Sequence, residues 1–131
     1  MKVLISHKNS GIDKSEYKVY DKFIKYLQKE YPLKHDVTIY FLGKRVGGMT
    51  TGSRMENVLK ILSKGRLNRD IMRTIAHEWV HEYQIQILNR EQGPDIGGKN
   101  EDEANALSGQ LVKKFEKKHP EKKENNFRSF E

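Results

Sequence analysis

The sequence has no cysteine, which excludes disulfide staples, thiolate metal sites of the finger type and cysteine nucleophiles. Any metal the chain holds must rest on His, Asp and Glu. It has no apolar run approaching the ~18 residues of a membrane-spanning helix. Met1-Lys2-Val3-Leu4-Ile5 meets charge too soon to read as a secretion signal, so no membrane association and a cytoplasmic location are expected. Proline is scarce, and Pro32, Pro94 and Pro120 fall where helical patterns stop. Acidic residues are outnumbered, 18 against 25 basic ones, giving a net charge of +7. That excess permits an acidic partner such as nucleic acid, but its lysines are dispersed, the usual pattern of a solvated surface.

What is present fits one small α+β domain over residues 1–118, with a charged tail at 119–131 that is expected to be flexible. Val3 to Ser6 reads as a short strand. Asp13 with Glu16 forms a capping-box spacing that opens a helix running to about Glu30. Tyr17, Tyr20, Ile24, Leu27 and Tyr31 make its apolar stripe. Asp36 to Leu42 is a strand by composition. Gly43, Gly47, Gly48 and Gly52 punctuate the next stretch and indicate a hairpin. Gly47-Gly48 lacks the Gly-Lys-Ser/Thr sequel of a phosphate loop. Met55 to Leu62 suits either period and is read as a strand, since Gly65 and a helix come directly after. The expected sheet is short and mostly antiparallel.

The most informative stretch is His77-Glu78-Trp79-Val80-His81, inside a helical segment from Asn68 to Arg90 uninterrupted by Gly or Pro. Residues four apart share a helix face at about 5–6 Å between Cβ atoms, so two imidazoles can close on one ion with Glu78 beside it as a base. Met72, Ile75, Ala76, Trp79, Val80, Tyr83 and Ile87 fill one broad face. His77, His81, Asp70, Arg73 and Gln84 lie on the other. Asn68 is a candidate N-cap and Asp70 complements the helix dipole. Glu91 to Gly98 reads as a loop, and a last helix spans about Asn100 to Lys118.

Two histidines leave a catalytic zinc one protein ligand short. On the last helix the stripe of Ala104, Leu107, Leu111 and Phe115 puts Asp102 nearly opposite the core, with Glu101 and Glu103 on either flank. Periodicity does not choose between those two. Glu103 could also close a capping box with Asn100.

His77-Glu78-x-x-His81, with Glu103-Ala104-Asn105-Ala106-Leu107 downstream at a helix start, resembles the gluzincin type of metallopeptidase, most closely its small ImmA/IrrE-like members. The likeness spans about residues 68 to 115. It implies a zincin-like fold, one Zn2+ per chain on His77, His81 and Glu103, Glu78 as catalytic base and a polypeptide substrate. The sequence departs from the thermolysin-like pattern at Leu107, where an aspartate that orients a histidine ligand would stand. A donor for the oxyanion is sought among His7, His35, Tyr40, Tyr83 and His119. Met55 to Leu62 is the expected edge for an extended peptide. The rival reading is a non-enzymatic, peptidase-like module that binds a protein or nucleic acid.

Overall fold

The computed structural model describes residues 1–90 and 98–119. The expected flexible tail from 120 onward and the expected loop at positions 91–97 lie outside these residues. The described chain is α+β, in the order β1 (Val3–Ser6), α1 (Lys14–Glu30), β2 (Val37–Leu42), β3 (Gly52–Met55), β4 (Val58–Leu62), α2 (Asn68–Gln86) and α3 (Lys99–Lys118).

The four strands form one sheet in the order β1-β2-β4-β3. It is mixed. β1 pairs with β2 and β2 with β4 in parallel, and only β3–β4 is antiparallel, which corrects the mostly antiparallel expectation. The cause lies in the connections. Helix α1 returns the chain to the end at which β1 began, so β2 must run alongside β1 in the same direction. Residues 43–51 then carry the chain past the neighbouring strand position to the sheet edge. A tight turn sends β4 back into the gap. Glu56 and Asn57 make that turn with φ of 43° and 68°, the left-handed pair that a two-residue hairpin loop requires.

Alternation along β2 and β4 sets which face is covered. Val37, Ile39, Phe41, Leu59 and Ile61 are buried beneath the helices, while Leu4, Tyr40 and Met55 are exposed. Helix α1 starts with the anticipated capping box: Asp13 accepts from the Glu16 amide at 2.8 Å, and Glu16 reaches back to the Asp13 amide at 3.4 Å. Its Tyr20 stacks on Phe41 with ring centroids 5.5 Å apart. That ring's hydroxyl donates to Asn68 Oδ1 at 2.7 Å. Asn68 is therefore not the N-cap of α2; Leu67 holds that position without a side-chain cap.

Helix α2 occupies the centre. The stripe of Met72, Ile75, Ala76, Trp79 and Val80 is buried as its periodicity predicts, and Trp79 Nε1 donates to the Tyr31 carbonyl at 2.9 Å. Its opposite face is only partly solvated, with Asp70 and Arg73 exposed. Thr74, Glu78, Glu82, Gln84 and Gln86 are buried too, because the β3–β4 hairpin and α3 close over them. Gln84 meets Asn100 at one end and Arg69 meets Glu116 at the other, so α3 lies antiparallel along α2.

Candidate metal centre

The i, i+4 spacing on α2 places the two imidazoles one turn apart, with His77 Nε2 and His81 Nε2 3.1 Å from each other. The carboxylate that joins them comes from the first turn of α3 and belongs to Glu101. Its Oε1 lies 2.9 Å from His77 Nε2 and its Oε2 3.0 Å from His81 Nε2. These three side chains form a group able to hold a metal ion, with one ligand atom from each within 4.8 Å of the others.

Glu103 stands elsewhere. Its Oε1 accepts from Arg90 Nη1 at 2.8 Å and from Gln84 Nε2 at 3.1 Å. The Gln84 hydrogen bond, with the Arg90 contact, holds its carboxyl below the usual range. Two residues along a helix is a turn of about 200°, so Glu101 and Glu103 cannot both face the same point. The structure brings Glu101 to the histidines, in place of the Glu103 that the family resemblance implied. Nor does Glu103 close a capping box, because α3 begins at Lys99 with Gly98 as its cap residue and no side-chain capping bond.

Gln84 answers the question raised by Leu107. Its Nε2 donates both to the Asn100 carbonyl and to Glu103, each at 3.1 Å. Both amide hydrogens are then committed, and Oε1 must be the atom 3.0 Å from His81 Nδ1. An amide oxygen can only accept, so Nδ1 carries the proton and Nε2 keeps its lone pair toward Glu101 and His77. Arg90, Glu103 and Gln84 thus form a chain that fixes the His81 tautomer. Asn105 hydrogen-bonds the His77 ring in turn, while burial and the neighbouring His81 lower the His77 pKa.

Glu78 lies on the flank of the histidine face of α2, lines the same cleft, is only 7% exposed and sits against β3. A Cβ built on Gly52 would fall 3.1 Å from Glu78 Oε2 and 2.6 Å from Thr74 Cγ2. Glycine is thus what lets the strand approach the carboxylate. Burial, then the charge of Glu101, raise the Glu78 pKa to about 7, against the pull of Arg54. A cation among the histidines would draw it back down. Arg54 itself bonds Glu82 Oε1 at 2.6 Å, and Gln86 Nε2 donates to Glu82 Oε2 at 2.6 Å. Gln86 Oε1 also accepts from the Lys34 and His35 amides. This buried network ties β3 to α2.

The donor set passes a chemical test for zinc. Two imidazoles whose free nitrogens converge on a carboxylate are borderline-soft and oxygen donors of the kind zinc takes. Tetrahedral bonds of about 2.0–2.1 Å need ligand atoms about 3.3 Å apart, and the observed separations of 2.9 to 3.1 Å require only a slight opening. The group lies in a cleft of about 980 Å³ between α2, α3 and the segment 46–55.

Two further expectations are corrected by the cleft. None of His7, His35, Tyr40, Tyr83 and His119 lines it; His7 packs on Tyr17, Tyr83 on Tyr31 and His119 on Phe115. The sheet edge beside the site is β3, whereas β4 lies between β2 and β3. Sequence reasoning placed Gln84 on the histidine face and Asn105 in the downstream run without giving either a role; for Gln84 the signal is its i, i+3 spacing from His81. Gly52 and Arg54 become visible only through the hairpin.

These features define a cleft whose His77, His81 and Glu101 could hold a metal ion, with a buried carboxylate beside them. Comparison with known protein families, with curated proteins and with solved structures found no match. Among the described residues no helix is long and apolar enough to cross a membrane.

Proposed function

We propose that the protein is a zinc-dependent peptide-bond hydrolase in which His77, His81 and Glu101 hold one zinc ion and Glu78 is the general base. The observation that carries this reading is the convergence of His77 Nε2, His81 Nε2 and the Glu101 carboxylate, all within 3.1 Å of one another, next to a second, buried carboxylate. When bound, zinc would act as a Lewis acid, lowering the pKa of a water toward ~7 and polarising the scissile carbonyl.

The chain's own groups account for the remaining work. Glu78 takes the proton of the attacking water as the new C–O bond forms, then delivers it to the amine as the C–N bond breaks. Its burial against Gly52 keeps bulk water from competing for that proton. The outer edge of β3 runs beside the histidines and offers backbone donors and acceptors to an extended chain, which favours a polypeptide over a small molecule.

The test is elemental analysis of tag-free protein alongside digestion of a peptide library. Wild type and Glu78→Gln are expected to carry about one zinc per chain, with cleavage lost only in Glu78→Gln. Glu101→Ala should lose most of the metal, and Glu103→Ala should retain most of it. Equal metal in the Glu101→Ala and Glu103→Ala proteins would remove the site as drawn. The rival, a non-enzymatic module favoured by the +7 charge, predicts salt-sensitive association with an acidic partner and no turnover.

A further inference from the structure

Arg73 stands one turn before His77 on α2 and borders two hollows at once. One is the cleft that holds the histidines, and the other is a hollow of about 580 Å³ between α2 and α3. This second hollow is basic. Arg69, Arg73, Lys113 and Lys117 line it against a single carboxylate, Glu116, which Arg69 already holds through contacts of 3.1 and 3.2 Å. Among the described residues Arg73 has no ion-pair partner. Its guanidinium lies across α3 at Gly109, where an added Cβ would meet Nη2 at 3.8 Å. The cation is therefore held over the mouth between the two helices, next to the cleft.

The geometry points to Arg73 as the residue that selects an acidic side chain in the polypeptide substrate, with the α2–α3 hollow as the subsite for the acidic segment. The assignment rests on the hydrolase reading. A guanidinium offers a planar fork that matches a carboxylate in two parallel hydrogen bonds, and exposed Arg73 is open to an incoming side chain. The charges of the cleft favour a peptide over a nucleic acid. Asp70, Glu78 and Glu101 line it together with Lys60, Arg66 and Arg73, so the cleft has no excess of positive charge to draw a backbone charged at every residue, whereas a peptide charged at one end needs only the local match at Arg73. Spacing comes from the helix. Arg73 is about 6 Å and Arg69 about 12 Å along the axis from His77. An extended chain rising about 3.3 Å per residue reaches them at about the second and fourth positions from the bond cleaved, on one side.

The experiment uses the full zinc-loaded chain and a library of proteome-derived peptides, with cleavage sites read by mass spectrometry. Wild type is expected to show Asp and Glu enriched about two positions to one side of the cleaved bond. In Arg73→Glu the ratio of kcat/KM for acidic over neutral peptides should fall about fivefold, the upper scale of an ion pair at an exposed side chain. Arg73→Lys should keep part of it. A parallel arm measures anisotropy of a labelled Glu-containing decapeptide and of a single-stranded oligonucleotide on Glu78→Gln, with and without Arg73→Glu. Cleavage without acidic enrichment, enrichment unchanged in Arg73→Glu, or preference for the oligonucleotide would each overturn the subsite while leaving the hydrolase reading intact. Absence of cleavage with Arg73-dependent peptide binding would sink the hydrolase reading and keep the subsite as a binding site.

Discussion

Gln84 decides which nitrogen of His81 is available, because its two amide hydrogens are spent on Asn100 and Glu103. Replacing it with Ala should leave the fold intact yet weaken zinc binding by about 10–100-fold, the usual cost of losing a partner that orients a histidine ligand. Competition against a chromophoric chelator would measure this, and unchanged affinity would deny Gln84 that role. Glu103→Ala should produce a smaller loss through the same chain of contacts. At this scale the sequence was partly legible. The pair of histidines and Glu78 could be read from spacing alone. The third carboxylate could not, because Glu101 and Glu103 flank the stripe of α3 almost evenly, and the side on which α2 lies is set by packing between helices rather than by the pattern of either one.

The β3–β4 hairpin is the element that turns a helix with two histidines into a cleft. Gly52→Ala should destabilise the protein by about 1–3 kcal/mol, the cost of forcing volume into a packed contact. Thr74 would be the first side chain to be displaced, at 2.6 Å from the new atom. Urea unfolding would report the loss. Arg54→Ala should cost more, about 3–5 kcal/mol, since it strands the carboxylate of Glu82, which is fully buried. The double variant Arg54→Met, Glu82→Gln should recover much of that loss, and failure to do so would mean that packing rather than charge dominates. Sequence reading took Met55 to Leu62 as one strand; the turn at Glu56 and Asn57 divides it, so that only Val58–Leu62 is β4 and Met55 ends β3, which the reading missed. Gly-Ser-Arg-Met has no strand composition; it is a strand because β4 offers it an edge and because Arg54 finds Glu82.

For the molecule as a whole, the α+β class was legible because capping, stripes and alternation are local signals. Strand direction was not. It depends on α1 serving as a crossover and on residues 43–51 skipping a strand position, neither of which leaves a periodic trace. A metal that binds the folded cleft should stabilise the entire chain, by about 2.7 kcal/mol when free zinc is a hundredfold above its Kd. Thermal melts should rise with added zinc in wild type and respond little in His77→Ala, and a chelator should reverse the gain. The turn at Glu56 and Asn57 has a different consequence. Two consecutive residues other than glycine are kept there in left-handed backbone at φ 43° and 68°, and each such residue costs of order 1 kcal/mol. That cost falls on the outermost strand. Amide hydrogen exchange should therefore reveal β3 opening at a lower free energy than the β2–β4 pairing, and Glu56→Gly should slow exchange in β3 selectively. The wall of the cleft that faces an incoming chain would then be the part of the sheet that breathes first.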